Sequence, residues 1–344
     1  MASDAFVYEK TFVFKLSNEL FSIALSEFNS IIVADNLPAK TIHQIDEFVI
    51  AETDEKTAMH LSNRASLILE SGHIIGVFDE DDLGGLSNLI INYLKTSNTC
   101  IRFDAIRGFG KESIKNLMVL LHGFSWSRCR EVVKVAFIGG IAIAYHVMYR
   151  RKELKFLDRE PHKRPCYRPG TMKPRLARAL VNLAKLSSVR KQIMLDPFCG
   201  VGGIVLEACS MGIHSICSDI DTKMCMCAKE NIKHFKCDEI ADIVLGDASR
   251  EGIRGYSVDA VVTDPPYGIQ SSPKGFGILD LLKNFITVSS DVIKPNGYMV
   301  FAIPIQYESI INAYLQDHGF EIKEKHINRV HGSLTRLIYV VRKV

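Results

Sequence analysis

The sequence predicts an α/β fold for the C-terminal half of the chain, a mostly parallel, doubly wound sheet, with α+β units before it. Two observations carry this prediction. From residue 193 onward, short apolar segments typical of buried strands alternate with helical segments, the pattern of a parallel sheet covered on both faces. Carboxylates follow four consecutive strands, and parallel strands bring their carboxyl ends to one edge, where such sheets bind ligands.

The length and composition of the chain predict a soluble protein of two or three domains. It has 344 residues, of which 47% are hydrophobic and 24% charged. The N-terminal residues lack the features of a signal peptide, and no apolar run is long enough to cross a bilayer. Segment 132–148 comes closest, but Lys134 and the Gly139-Gly140 pair interrupt it, so we expect a hairpin of two buried strands there.

Nine cysteines are scattered along the chain without the paired spacing of a metal site. Cys225 and Cys227 form the only close pair, on a predicted helix. We therefore expect reduced thiols and a cytoplasmic location, with neither a bound metal nor a framework of disulfides.

The first half of the chain predicts two α+β units. In the first unit, three apolar segments predict strands, at residues 12–16, 31–34 and 48–50, and Ser17 suits the N-cap of a helix. In the second unit, strands are predicted at 74–78 and 100–107 and a helix at 113–121, before the hairpin. Neither unit contains a catalytic pattern.

A dense basic segment joins the two halves. Residues 150–191 contain 14 Lys or Arg and three acids, a net charge of +11, which leaves −8 on the rest of the chain. Such asymmetry is typical of a surface that binds a polyanion, most simply nucleic acid, although a solvated helical face with counter-charges elsewhere would give the same pattern. The candidate RNA-binding residues are Arg107, Arg150, Arg151, Lys152, Lys163, Arg164 and Arg168.

A glycine-rich loop follows the first strand of the C-terminal half. Segment 193–195 leads into Asp196 and then into residues 197–203, whose glycines allow the backbone to approach a ligand closely. The second strand, 215–218, ends at Asp219, which is 19 residues after Gly200. That spacing suits an acid that binds the hydroxyls of a ribose.

Two further strands end in acids. Segment 243–245 leads to Asp247, which can accept the amino hydrogens of an adenine, and segment 260–262 leads to Asp264. A fifth strand is predicted at 298–303, and residues 321–327 and 337–341 predict a hairpin that completes the edge of the sheet. We expect one cleft at the ends of these strands.

The loop chemistry favours S-adenosylmethionine over a nicotinamide dinucleotide. The spacing of Gly200, Gly202 and Gly203 departs from the G-x-G-x-x-G pattern of dinucleotide sites. Asp196 would also repel a pyrophosphate, whereas it suits a cationic aminoacyl sulfonium.

Asp264-Pro265-Pro266-Tyr267 predicts a site for an amino group on a flat ring. Such an amine is a poor nucleophile because its lone pair is delocalised into the ring. Asp264 and the carbonyl of Pro265 can accept its two hydrogens, which favours a pyramidal nitrogen, and Tyr267 offers a face for stacking. The alternative is a turn that merely ends the strand.

These segments together resemble the class I methyltransferases that act on amino groups, and the whole chain resembles the archaeal tRNA guanosine-10 N2-methyltransferases. The shared motifs are DPFCGVGG at 196–203, Asp219, GDA at 246–248, DPPY at 264–267 and RPGTMKPRLARALVNL at 168–183. The resemblance implies a ferredoxin-like domain at 1–58, a THUMP RNA-binding domain at 59–152, a basic linker and cofactor loop at 153–185, and a Rossmann-like methyltransferase domain at 186–344.

The resemblance also implies roles for individual residues. The cofactor would bind at Pro169, Gly170, Thr171, Asp196, Phe198, Cys199, Gly200, Gly202, Asp219, Ile220, Asp247 and Ala248. The target guanine would bind at Asp264, Pro265, Pro266 and Tyr267. The family often has Thr where this chain has Val201, which removes one hydroxyl, and Ser where it has Thr171.

The implied substrate is tRNA, with the target base flipped out of its stack and the chain acting as a monomer without an activating partner. Three alternatives remain open. The target amine could belong to another tRNA guanine, or to an adenine or cytosine in ribosomal RNA or DNA. The chain could also be a catalytically silent RNA-binding module.

Overall fold

The computed structural model describes residues 8–96, 99–122, 131–152, 154–250, 252–266, 277–331 and 334–344. The chain divides into two compact units. The first contains residues 1–21, 37–64 and 68–151, and the second contains 22–36, 65–67 and 152–344. The first helix, α1 (Phe21–Asp35), therefore lies almost wholly in the second unit.

The first unit is built on a seven-stranded sheet. Its strands are β1 (Thr11–Leu16), β2 (Lys40–Ile45), β3 (Phe48–Glu52), β4 (Ile68–Asp79), β5 (Thr99–Ala105), β6 (Glu131–Ile138) and β7 (Ile141–Arg150). Its helices are α2 (Glu55–Arg64), α3 (Leu83–Thr96) and α4 (Lys111–Leu120). The strand order is β2-β3-β1-β4-β7-β6-β5, and every neighbouring pair is antiparallel except β5 and β6.

The predicted hairpin in this unit is confirmed. β6 and β7 pair antiparallel across the two-residue connection Gly139-Gly140, whose φ angles are 58° and 85°. Two consecutive positive φ values are what a tight hairpin turn requires, and glycine adopts them at low cost.

The strand predicted at residues 31–34 is wrong, because these residues form the last turns of α1. Ala24, Phe28 and Ile31 are buried at helical spacing, whereas Val33 is 60% exposed, so a run of branched apolar residues mimicked a strand. The sequence also gave no signal for β2, which is an exposed edge strand with polar residues such as His43 and Gln44.

The second unit contains the predicted parallel sheet. Its elements after α1 are α5 (Leu154–Leu157), α6 (Pro174–Leu183), β8 (Ile193–Asp196), α7 (Gly203–Cys209), β9 (His214–Asp219), α8 (Thr222–His234), β10 (Ala241–Leu245), β11 (Val258–Thr263), α9 (Ile278–Val292), β12 (Ile293–Pro304), α10 (Glu308–Asp317), β13 (Phe320–His331) and β14 (Leu334–Lys343).

The strand order of this sheet is β10-β9-β8-β11-β12-β14-β13. The five strands from β10 to β12 are parallel, and β14 and β13 form the predicted antiparallel hairpin at the edge. The chain proceeds to one side from β8 through β9 to β10, and returns to the other side of β8 at β11. The order reverses between β8 and β11, and ligands bind at such switch points in open α/β sheets.

A buried carboxylate holds α1 within the second unit. The oxygens of Glu27 accept hydrogen bonds from the backbone of Ser66 and Leu67, each at 2.9 Å, and from the Asn182 amide on α6 at 2.8 Å. Desolvation raises the pKa of Glu27, although these donors act in the opposite direction. The domain boundaries at 58, 152 and 185 stay a prediction.

The expectation of reduced thiols is wrong for this structure. Disulfides join Cys166 to Cys227, Cys199 to Cys217 and Cys209 to Cys237, and Cys100 is disulfide-bonded as well. Cys225 is the free cysteine among the described residues. Spacing along the chain could not predict these pairs because each joins different elements of the fold. In the described ranges, no helix combines the length and the apolarity needed to cross a bilayer.

Candidate active site

The acids that end the parallel strands lie along one edge of the second sheet. Leu245 of β10 pairs with Asp219 of β9, and Asp196 of β8 pairs with Cys217, also of β9. Thr263 at the end of β11 donates its hydroxyl to Oδ1 of Asp196 at 2.6 Å. The four strand ends therefore lie at one edge of the sheet, and a common cleft there stays a prediction.

Asp196 lies at the bottom of this edge and is only 1% exposed. Burial raises its pKa to about 7, and the nearby charges of Asp219 and Asp264 act in the same direction. The hydroxyl of Thr263 and the N–H of Phe198 lower the pKa, but they do not offset burial. Asp196 is thus poised to change charge near neutral pH, and a cationic ligand would favour its ionised form.

The glycine loop after β8 leaves room beside its backbone. Gly200 has φ 51°, and no atom lies within 4 Å of the position that a Cβ would occupy. Its N–H donates to Oδ2 of Asp219 at 2.9 Å, while Oδ1 accepts from the N–H of Asp221 at 2.9 Å. Asp219 therefore shapes the loop and retains acceptor capacity for a further donor.

The side chain of Ile220 follows Asp219 and is 55% exposed. Asp247, after β10, accepts from both the backbone and the hydroxyl of Ser249, at 2.9 and 2.6 Å. Partial burial raises the pKa of Asp247, but these bonds outweigh it and the net shift is downward. A charged acceptor and an exposed apolar side chain suit a heterocycle with an amino group.

Not every predicted cofactor residue faces open space. Phe198 packs edge-to-face on Phe285, with ring centroids 5.4 Å apart, and so belongs to the core as much as to the cleft. Cys199 is buried and bonded to Cys217. Pro169 and Gly170 are exposed, and the hydroxyl of Thr171 donates to the carbonyl of Arg168 at 2.7 Å.

The loop that carries these last residues is held against the glycine loop. The buried side chain of Asn231, on α8, donates to the carbonyls of Cys166 and Val201, both at 2.9 Å. The disulfide from Cys166 to Cys227 adds a covalent link to the same helix. Two segments far apart in the sequence are thereby brought to one place.

Asp264 has one oxygen bound and one free. Its Oδ2 accepts from Nη1 of Arg336 at 2.8 Å, whereas its Oδ1 is buried and has no hydrogen-bond partner among the described residues. Burial raises the pKa of Asp264 to about 6, although Arg336 lowers it. Pro265 is buried and Pro266 half-buried, while Tyr267 lies outside the described residues. A buried acceptor without a donor is a feature of a site that receives one from a ligand.

Sequence reasoning missed Arg336. This residue is 7% exposed and lies on β14, where its Nε also donates to Asn328 of β13 at 2.8 Å. An arginine within the apolar run of β14 was a visible signal, since a buried arginine needs a partner. The identity of that partner could not be read from the sequence.

The basic segment does not lie wholly on the surface. Lys152, Lys163 and Arg168 are exposed, as RNA contacts require. Arg164 is only 5% exposed, which leaves little of its side chain on the surface for a contact with RNA. Both of its Nη atoms are buried and lack a hydrogen-bond partner among the described residues. Desolvation lowers its pKa.

Other arginines are ion-paired, some of them predicted to bind RNA and some of them elsewhere in the basic segment 150–191. Arg159 and Arg178 both bind the fully buried Glu207, with closest distances of 2.6 and 3.0 Å. In the first unit, Arg150 pairs with Glu70 at 2.9 Å. Arg107 pairs with Asp46 at 2.7 Å and keeps 53% of its side chain exposed. The count of charges in the sequence therefore overstated the basic surface.

Comparison with known proteins adds the family. Residues 161–338 match the family described as UPF0020, an RMKL-like methyltransferase domain. The chain is 38% identical over 191 residues to a tRNA (guanine(10)-N2)-dimethyltransferase of Methanothermobacter thermautotrophicus. The aligned residues cover 55% of this chain and 54% of that protein. It is also 38% identical over 175 residues to a protein of Methanothermococcus thermolithotrophicus named a probable enzyme of the same kind, over 49% of this chain and 98% of that protein.

The chain spans a little over half the length of the Methanothermobacter relative, and the same holds for the relatives from Methanocaldococcus jannaschii and Pyrococcus abyssi. Among solved structures, TrmN from Thermus thermophilus is similar over 97% of this chain and 100% of that chain, with a TM-score of 0.58 and 19% identity. That likeness supports the fold over nearly the whole length.

Proposed function

We propose a reaction for this chain from the premise that it belongs to the RMKL-like methyltransferase family. The chain transfers a methyl group from S-adenosyl-L-methionine to the exocyclic N2 amine of a guanosine in tRNA. The nucleotide at position 10 is the target that the names of its relatives support. The product is N2-methylguanosine, or N2,N2-dimethylguanosine after a second transfer.

The observation that carries this proposal is the free acceptor at the end of β11. Oδ1 of Asp264 is buried and has no partner among the described residues, and it lies beside the rigid Pro265-Pro266 pair. A ring amine has two N–H hydrogens to donate, one to Oδ1 and one to the carbonyl of Pro265. These two bonds would turn the nitrogen lone pair out of the ring plane and toward the electrophile.

The residues of the cleft fit the cofactor. Gly200 leaves open space beside the loop, Asp219 and Asp247 offer acceptors for a ribose and an adenine, and the exposed Ile220 offers an apolar contact. When bound, S-adenosylmethionine supplies an electrophilic methyl group on a positively charged sulfur. Asp196, buried below the loop, suits that positive charge once it is ionised.

The proton balance requires little of the protein. The new N–C bond would form as the bond from the methyl group to sulfur breaks, which would leave neutral S-adenosylhomocysteine, and the nitrogen would then release one proton. Asp264 orients the nitrogen and is the nearest group that can take this proton, so no separate strong base is needed. Tyr267 is proposed to stack on the guanine.

tRNA binding is proposed for the N-terminal segments and the linker. We infer a ferredoxin-like domain at 1–58 and a THUMP domain at 59–152, which would hold tRNA by its shape and phosphates. The best-placed contacts are the exposed Lys152, at the end of the proposed THUMP domain, and the exposed Lys163 and Arg168 in the linker. A cytoplasmic location and a monomeric state remain part of this proposal.

The proposal is tested with purified protein, unmodified tRNA transcripts and labelled S-adenosylmethionine, followed by nucleoside analysis. We expect label in N2-methylguanosine, absent when guanosine 10 is replaced and absent with Asp264→Ala. Asp291→Ala, an exposed acid at the end of α9, serves as the matched control and should retain activity. Label in N6-methyladenosine or N4-methylcytidine would favour the alternative substrates. Binding of tRNA without transfer to any nucleic acid would favour a silent binding module.

A further inference from the structure

The C-terminal hairpin reaches the predicted catalytic acid through one side chain. Arg336 on β14 donates to Oδ2 of Asp264 at 2.8 Å, and the side chains are 8% and 18% exposed. Arg336 also donates through Nε to Asn328, its cross-strand neighbour on β13, at 2.8 Å. The guanidinium is therefore fixed from two sides, because its Nε and Nη1 bonds leave little freedom to rotate.

We propose that Arg336 is a positioning residue that keeps Asp264 ionised and leaves Oδ1 as its single acceptor for the target amine. The inference rests on the proposed amine methylation. No residue of β13 or β14 belongs to the motifs that identify the cleft, so the hairpin acquires a functional role beyond closing the sheet.

The proton on Asp264 decides whether the site can work. An ionised Oδ1 accepts an N–H hydrogen, whereas a protonated Oδ1 presents its own hydrogen and opposes the amine. Burial favours the protonated form of a carboxyl group, and Arg336 acts against it. The pKa of the neighbouring Asp196, from β8, is raised by the charge of Asp264, so Asp264 is the acid of the two that ionises first. Arg336 is the positive group that acts against burial at Asp264.

The geometry also restricts the substrate. With Oδ2 occupied by Arg336, Asp264 has one oxygen for the ligand and can accept but not donate. A base with an amine at the reacting position meets this requirement. A base with a carbonyl oxygen there would be repelled by the carboxylate, and inosine, which lacks the N2 amine, would leave Oδ1 unpaired.

The test compares Arg336→Met and Arg336→Lys with Arg342→Met, which lies farther along the same strand and hydrogen-bonds Asn296 instead. Single-turnover methylation is measured from pH 5 to pH 9.5, and the Asp264 carboxyl is titrated by NMR in protein with labelled aspartate. Wild type and Arg342→Met should lose activity as pH falls through about 6.

Without the guanidinium, the pKa of Asp264 rises. The pH below which Arg336→Met loses activity should therefore increase by about one pH unit or more. A shift of one unit from a pKa of about 6 should lower its rate at pH 7 about twofold, and a larger shift should lower it more; in either case the rate should recover above pH 8. Arg336→Lys retains the charge but cannot bind Asn328 and Asp264 through two fixed N–H groups. It should therefore lose activity at nearly the same pH as wild type, while its maximum rate falls. Melting temperatures check that each variant is folded.

Two results would overturn the inference. Arg336→Met could lose activity equally at every pH with an unmoved Asp264 titration, which would indicate a merely structural role. The methylation rate of Arg336→Met and its Asp264 titration could also match those of Arg342→Met at every pH. Failure of the proposed function looks different, because wild type would then transfer no methyl to guanosine at any pH, while the NMR titration would still report the effect of Arg336 on Asp264.

Discussion

The side-chain amide of Asn231 binds both backbone groups of Cys166: its Oδ1 accepts from the N–H at 3.0 Å, and its Nδ2 donates to the carbonyl at 2.9 Å. Nδ2 also donates to the carbonyl of Val201 in the glycine loop. Asn231 is fully buried, so water does not replace these bonds. One side chain thus aligns the segment 166–171 with the loop that follows β8.

Replacing Asn231 should loosen both segments. Asn231→Leu leaves one N–H and two carbonyls without their partner, which costs about 1 to 3 kcal/mol of stability. We also expect weaker binding of S-adenosylhomocysteine, by about tenfold, because the residues proposed to hold it lose their alignment. Calorimetry and urea unfolding measure the two effects. Asn284→Leu, on the exposed face of α9, is the control, and equal ligand affinity in both variants would contradict the prediction.

Glu207 should be among the most sensitive buried positions. It is fully buried and binds Arg159 and Arg178, so Glu207→Gln removes the charge that compensates the buried guanidinium of Arg178 and the half-buried one of Arg159. Breaking a buried ion pair in this way costs about 3 kcal/mol or more. Urea unfolding should register this loss, whereas Glu230→Gln on the exposed side of α8 should change stability by less than about 0.5 kcal/mol. Similar losses for both variants would argue against the buried network.

Stability should depend on pH through Asp196. Its pKa is about 7 in the folded chain, above the ordinary value of 3.8, so the native state holds a proton that the unfolded state releases. This contribution to stability is complete below pH 4, falls as pH rises, and is lost once pH has passed through about 7. Asp196→Asn removes this dependence, so the stability of the variant relative to wild type should increase between about pH 4 and pH 7, by up to about 4 kcal/mol. If the free energy of unfolding varied with pH in the same way for wild type and Asp196→Asn, this prediction would be refuted.

Substitution of two glycines in the loop distinguishes the effect of backbone strain from the effect of contact with the ligand. Gly200 and Gly202 both have positive φ, so alanine at either position should cost about 1 to 2 kcal/mol of stability. A Cβ at Gly200 would occupy open space, whereas at Gly202 it would lie 3.5 Å from the Cβ of Ala228. Gly200→Ala should therefore weaken S-adenosylhomocysteine binding at least about tenfold, and Gly202→Ala much less. The reverse order of affinities would place the ligand elsewhere.

The disulfides can be tested by peptide mapping of the unreduced protein. We expect linked peptides for Cys166 with Cys227, Cys199 with Cys217, and Cys209 with Cys237, which close 61, 18 and 28 residues. Loops of this size stabilise a fold by about 3 to 4 kcal/mol each, so reduction should lower the melting temperature. Free thiols at these six positions in protein purified without reductant would restore the expectation drawn from the sequence.

The sequence was sufficient where the evidence was local. The period of apolar residues predicted the parallel strands from β8 to β12, and the residues that follow four of them predicted the acids of the cleft. A parallel sheet brings strand ends to one edge whatever the details of packing, so Asp196, Asp219, Asp247 and Asp264 could be grouped without coordinates. The turn chemistry of Gly139-Gly140 predicted the first hairpin for the same reason.

Local evidence failed where polar or buried partners come from distant parts of the chain. The strand predicted at 31–34 is helical because tertiary burial chose between two structures that a short apolar run permits equally. The basic segment was read as surface, yet Arg164 and Arg178 are buried, because only the fold brings Arg178 to Glu207.

The sequence by itself thus determined the fold class, the strand-end acids and the kind of ligand they suit. Only the tertiary structure decided how those acids are held. Asp264 is paired with an arginine 72 positions away, and Asn231 joins loops 65 and 30 positions away. Such pairings depend on which strands and helices become neighbours, and the free energy that selects them is shared over the whole core rather than carried by any short stretch of sequence.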